Sequence, residues 1–179
     1  MRVIVPLANG FEEIEALTVV DVLRRAKIKV DTVGVIGSVI EGKHGVKVIV
    51  DRTLNQISPE NYDAIVLPGG SPGYENLGRS AKLMEILKTF NSQNKLIGAI
   101  CGAPKILARE GILDDKKATV YPGYEKMLSY PRDRPVVVDG NVITSQGPGT
   151  AIDFALKIVE RVLNPAEAQR IKKELVAHV

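Results

Sequence analysis

The feature that most constrains this chain is an apolar run that stops abruptly at its only cysteine. Leu96 to Ile100 read as a short buried strand, Cys101, Gly102 and Ala103 as a tight turn, and the segment from about Pro104 to Glu110 as a helix. Strand, turn and helix in that order hold Cys101 at the corner, its sulfur exposed and facing a helix N-terminus. This is the arrangement of a nucleophile elbow, where small neighbours permit a sharp, strained turn. The helix end and its free N–H groups favour thiolate over thiol, which predicts a pKa below that of a free cysteine. Free cysteines are also among the most buried residues, so an inert core position is the competing reading of the local pattern.

The rest of the chain narrows the choice. One cysteine excludes an intrachain disulfide framework and fits a reducing, cytoplasmic compartment. The apolar start, Val3 to Leu7, is too short for a signal peptide, and no stretch is long enough to span a membrane. A net charge of +3 with acidic and basic residues interspersed offers no basic face for nucleic acid. The 179 residues fit a single domain, and with aromatics at only 4% its core must be filled by Val, Ile, Leu and Ala.

Buried strands are expected at Arg2 to Leu7, Lys29 to Val35 and Asp63 to Leu67, with a shorter one at Ala118 to Tyr121. Two hairpins follow from turn chemistry. Val39-Ile40 and Val46 to Val50 flank Glu41 to Gly45, and Val136 to Val138 and Val142 to Ser145 flank Asp139-Gly140-Asn141. Helices are expected from Glu12 to Ala26, with Ile14, Leu17, Val20 and Leu23 inward and Ala16 and Val19 nearby, and from Asn76 to Phe90. A further helix is entered at Gln146 to Gly149 and runs to Leu163, and a last one opens at Asn164-Pro165 with Ile171, Leu175 and Val179 on one face. Strands alternating with helices imply an α/β fold, a mostly parallel sheet covered on both faces. Sites in such folds lie beyond the carboxyl ends of the strands. Four segments meet there: Ala8 to Glu15, Pro68 to Gly70, Cys101 to Ala103, and Gly147 to Thr150. Three are glycine-bearing turns, one of them holding the cysteine, and the fourth delivers carboxylates.

Together these segments resemble the ThiJ/PfpI superfamily, most closely the branch typified by the Parkinson-disease-associated protein deglycase and its bacterial relatives. The resemblance is carried by Asn9 to Glu15 with Val20 to Arg25, by Val66 to Gly70, by Ala99 to Pro104, and by Thr144 to Thr150. It implies a flavodoxin-like three-layer sandwich with a nucleophile elbow. It also implies Cys101 as the reactive cysteine, Glu15 as the helix-borne glutamate at its sulfur, and an anion pocket of backbone N–H groups at Gly69, Gly70 and Gly102. Tyr121 stands where the branch often has histidine, and with Gly147 and Pro148 it would wall the pocket. Arg25 and His44 could reach its rim across a dimer interface, since the resemblance implies a homodimer.

A carboxylate beside a thiolate repels it, so Cys101 and Glu15 should titrate as a coupled pair, with Glu15 protonated and donating toward the sulfur. Glu12 and Glu13 read as solvated first-turn glutamates, and His44 as a hairpin-tip surface residue. The expected chemistry is thiolate addition to small reactive carbonyls or to glycated proteins, of the glyoxalase or protein deglycase type in a stress response. Glu15 would shuttle the proton, with no metal and no cofactor. The alternative is a thiol redox sensor or chaperone that forms a sulfinate at the same cysteine. A cysteine peptidase is disfavoured because Cys101 is followed by Gly102 rather than histidine, and no histidine lies between His44 and His178.

Overall fold

The computed structural model describes residues 1–179. The chain opens with β1 (Arg2–Leu7), α1 (Glu13–Arg25) and β2 (Lys29–Gly34), followed by the small hairpin β3 (Val39–Glu41) and β4 (Lys47–Ile49), and then β5 (Arg52–Thr53). Next come β6 (Ala64–Leu67), α2 (Gly73–Gly78), α3 (Ala81–Ser92), β7 (Leu96–Ile100) and α4 (Pro104–Arg109). The remainder is β8 (Lys117–Ala118), β9 (Tyr130–Pro131), β10 (Val136–Asp139), β11 (Val142–Ser145), α5 (Ala151–Val162) and α6 (Pro165–Glu174).

Seven strands form one sheet in the order β10-β11-β7-β6-β1-β2-β5. All neighbours are parallel except the β10–β11 hairpin. Because side chains alternate across a strand, each central strand feeds two cores. Val3, Val5 and Leu7 of β1, with Ala64 and Val66 of β6, join the core under α1, α5 and α6. Ile4, Ile65 and Leu67 join the opposite core with α2, α3 and α4. The result is the expected α/β three-layer sandwich. β1, β6 and β7 point their carboxyl ends in one direction, and the turns that follow them build the site.

Several elements differ from the sequence reading. The expected inner stripe of α1 is rotated in part: Val20 and Leu23 are buried as expected, together with Ala16, Val19 and Val22, but Ile14 is 56% exposed and Leu17 36%. The rotation carries Glu15 under the end of the sheet and turns small Ala16 toward it. Glu12 and Glu13 are buried rather than solvated. The helix expected over Asn76 to Phe90 is two helices, because the Ser80 hydroxyl caps α3 by accepting from the Leu83 N–H at 3.3 Å. The strand expected at Ala118 to Tyr121 stops at Ala118. The entry to α5 is a 3-10 turn, Pro148–Thr150, before the α-helix proper. α6 is capped by Asn164, whose side chain accepts from the Glu167 N–H. It docks through fully buried Ile171 but ends at Glu174, leaving Val179 46% exposed.

Candidate active site

The end of β7 sets the nucleophile. The Cys101 N–H continues the sheet by donating to the Ser145 carbonyl (2.9 Å), after which the backbone turns sharply, with Cys101 at φ 64°. That left-handed conformation is uncommon for a residue with a side chain and marks a strained corner. The turn is fixed from both sides, since the Cys101 carbonyl accepts from the Tyr121 N–H (2.8 Å) and the Ala103 N–H donates back to Ile100 (3.0 Å).

The end of β6 supplies the wall opposite. Gly70 sits at φ 88°, and a side chain there would fall 2.3 Å from the backbone nitrogen of Glu12. Glycine is required on both counts. Gly69 is equally confined: a Cβ would lie 2.6 Å from Cys101 Cβ and 2.7 Å from Glu15 Oε2. Its N–H donates to Glu15 Oε2 at 2.7 Å. This corrects the expected pocket. The Gly70 and Gly102 N–H groups serve the sulfur, whereas Gly69 holds the carboxyl.

Glu15 is fully buried, packed near Val5, Val19, Val66 and Ile100. One oxygen has the Gly69 N–H; the other, Oε1, is buried without a hydrogen-bond partner. Burial therefore pushes the carboxyl up to about 7, against the lowering effect of the Gly69 N–H and the Cys101 contact. At Cys101, burial and then the Glu15 charge push the thiol up to about 12, only partly offset by the Gly70 and Gly102 N–H groups. The expected low-pKa cysteine is thus overturned for the form in which Glu15 is ionised. Both partners resist a negative charge, so the pair retains at least one proton at neutral pH. Thiolate character belongs to the form in which Glu15 carries that proton.

The other predicted residues divide. Tyr121 reaches the turn through its backbone, and its ring lies against Gly147, where a Cβ would be 3.3 Å from Cδ2. Pro148 follows in the adjoining turn, which Thr150 ties to Ser145 through a 2.6 Å hydroxyl contact. Arg25 is not at the site within the chain. It lies ten residues beyond Glu15, ~15 Å along the helix, bound to Asp21 and Glu174 at 2.9 Å each. His44 is at the hairpin tip as expected, but it is engaged there: Nδ1 lies 2.9 Å from Glu13 and 3.6 Å from Glu12.

Glu12, Glu13 and His44 bring potential metal-ligating atoms within 4.8 Å of one another. The Glu13 oxygens already accept from the His44 N–H at 2.7 Å and contact its ring at 2.9 Å, bonds that a cation would have to displace. The sequence reading also missed Tyr74. Its ring covers Gly102 so closely that a Cβ there would be 2.5 Å from a ring carbon. The glycine after the cysteine was the available signal for such an approach.

Residues 1–161 match the model of the DJ-1/PfpI family. Protein dj-1beta of Drosophila melanogaster is 41% identical over 178 residues, covering 97% of this chain and 95% of the relative. A Parkinson disease protein 7 homolog of Danio rerio is 39% identical, with 98% and 96% covered. The solved structure of Toxoplasma gondii DJ-1, in an oxidized form, superposes with a TM-score of 0.96 at 37% identity, covering 99% of each chain. Similar over nearly its whole length to these proteins and built on the same flavodoxin-like sandwich, the chain belongs to the DJ-1/PfpI family.

Proposed function

We propose that the protein uses Cys101 as a nucleophile toward small reactive carbonyls, methylglyoxal or the adducts it leaves on proteins, as a glyoxalase or protein deglycase does. The observation that carries this reading is a thiol on a strained turn beside a buried carboxyl that burial pushes up to about 7. A group titrating near the working pH suits proton transfer in both directions. The chemistry runs on the chain's own groups and water. Once Glu15 holds the shared proton, the Cys101 sulfur adds to the aldehyde carbon and the carbonyl π pair moves to oxygen. The Gly70 and Gly102 N–H groups, which act on the sulfur, would be the donors for that oxyanion, and Glu15 then delivers its proton to it. The Glu15 carboxylate next takes the proton from the former aldehyde carbon and returns it at the neighbouring carbon, while the hydroxyl proton passes from the first oxygen to the former ketone oxygen, leaving a thioester that carries the new hydroxyl. Water cleaves the thioester to lactate and restores the thiol.

The alternative, a redox sensor or stress chaperone, draws on the same pocket. Peroxide would convert the thiolate to a sulfinate whose negative oxygens suit the same N–H donors, and the Toxoplasma gondii relative is known in an oxidized form. Peptidase action is disfavoured because neither histidine serves the sulfur: His44 is bound to Glu13, and His178 lies beyond α6. A cytoplasmic location belongs to the proposal, and no helix is long and apolar enough to cross a membrane. So does homodimerisation, for which exposed Ile14 and Leu17 on α1 and Ile36, Val39 and Ile49 around the β3–β4 hairpin offer apolar surface. The deciding experiment is steady-state turnover of methylglyoxal beside a Cys101→Ser control. Lactate formation that disappears in the variant is expected. Equal turnover in both proteins, or none in wild type together with peroxide-dependent sulfinate at Cys101, would replace the enzymatic reading.

A further inference from the structure

We propose that the cavity between α2 and α4 is a binding site for a small dianion, a dicarboxylate or a phosphate group, held by Lys105 and Arg79. The cavity encloses about 360 Å³, and its walls include Tyr74, Glu75, Arg79, Lys105, Arg109 and Met127. Three cations and one carboxylate therefore border it.

Two of the cations form no ion pair. Arg109 is already used, donating to the Gly78 carbonyl at 2.6 Å and to Glu110 at 3.2 Å. The Lys105 ammonium forms no ion pair: it donates to the Tyr74 hydroxyl at 2.9 Å and lies 4.0 Å from the centroid of the Tyr124 ring, with the Glu75 charge acting on it only from farther away. Arg79 donates only to the side-chain carbonyl of Asn76, at 3.2 Å. The one carboxylate forms an ion pair with neither of them. Glu75 Oε1 accepts from the Ser71 hydroxyl at 3.0 Å, Oε2 is buried, and the carboxylate bears on the Tyr74 hydroxyl rather than directly on either cation. A partly buried ammonium held by a hydroxyl and an aromatic face gains more from an anion than from either. With a guanidinium on the same cavity, an oxyanion group of two charges completes both cations at once.

The site is separate from the cysteine. Tyr74 stands between them, its ring against Gly102 on one side and its hydroxyl on Lys105 on the other. Binding in the cavity therefore does not depend on the carbonyl chemistry proposed above.

Calorimetric titration of the full chain at low ionic strength with succinate, inorganic phosphate and acetate tests the assignment, repeated on Lys105→Met and Arg79→Gln. Saturable binding of succinate or phosphate is expected, weakened roughly tenfold or more by either substitution, and the tighter of the two probes identifies the group preferred. Arg79 is exposed, so Arg79→Gln keeps the test decisive if Lys105→Met does not fold. No saturable heat with either dianion, unchanged affinity in Arg79→Gln, or acetate binding as tightly as succinate would each overturn the proposal.

Discussion

Glu13 and Glu15 stand two residues apart in the first turn of one helix, both buried, and their surroundings treat them in opposite ways. Burial would raise either carboxyl. At Glu13 that effect is outweighed by the His44 imidazole at 2.9 Å and by N–H groups of His44 (2.7 Å) and Val46 (3.4 Å), so its pKa is lowered. Glu15 has the single Gly69 N–H, an orphan oxygen and a sulfur, and burial wins. The difference lies both in depth, since Glu15 is the more deeply enclosed of the two, and in the count of donors, of which Glu13 has more. One glutamate is a fixed anion that clamps the β3–β4 hairpin to the helix. Its neighbour is a proton store facing the nucleophile.

The sharpest way to break this comparison is to remove the proton store and keep its shape. Glu15→Gln should lower carbonyl turnover by roughly 10²–10⁴-fold, the usual contribution of general acid–base catalysis. The thiol should remain alkylatable, and its alkylation midpoint should move down, because the charge that raises it is gone. Turnover within a few-fold of wild type would make Glu15 a structural residue.

The next effect is on stability against pH, where the two glutamates have opposite signs. A carboxyl whose folded pKa is raised from 4.5 to about 7 binds more protons folded than unfolded between those values. Its contribution is full below pH 4.5 and is lost as pH rises through about 7. Glu13, with a lowered pKa, contributes above its unfolded value and loses that contribution as pH falls through its folded one. Urea midpoints should show wild type losing on the order of 3 kcal/mol relative to Glu15→Gln across that upper window. Parallel curves for the two proteins would contradict a buried, proton-holding Glu15.

How far the sequence foretells this site follows the range of the interactions involved. β1, β6 and β7 are legible within a residue because both faces of a central parallel strand are buried, which leaves continuous apolar runs. The corner at Cys101 is legible because small residues after such a run leave few alternatives to a sharp turn. The face of α1 is not, since Ile14 and Leu17 fit a helical stripe as well as Ala16 and Val19 do. What selects the face is the reach of Glu15 to a glycine N–H 54 residues away. The burial of Glu13 is hidden for the same reason, because its partner His44 is 31 residues along the chain. The break at Ser80 was available locally as an N-cap residue, but the apolar periodicity running through it points to a longer helix.

A smaller effect is expected on the clamp side. Glu13→Gln places an amide donor opposite groups that are themselves donors, and should cost about 1–3 kcal/mol of stability. Turnover of the remaining folded protein should stay near the wild-type value, since Glu13 serves the hairpin and Glu15 the sulfur. A loss of turnover as large as that in Glu15→Gln would mean that the two glutamates act as one unit, and the comparison would fail.

The smallest effect belongs to His44→Ala. The ring is 62% exposed and supplies one of the three contacts that Glu13 accepts; the backbone N–H groups of residues 44 and 46 remain in place after the substitution. A carboxylate keeping two N–H donors is still satisfied, and an exposed partner contributes about 1 kcal/mol at most because water and salt screen it. The loss in a urea titration should therefore be well below that of Glu13→Gln, and should shrink further on adding salt. The carboxyl pKa of Glu13, followed by NMR, should rise from its lowered position, because the largest of its lowering contacts is removed while the burial that opposes them stays. If His44→Ala cost as much stability as Glu13→Gln, the imidazole rather than the backbone would be the clamp, and the hairpin tip would hold α1 through a side chain.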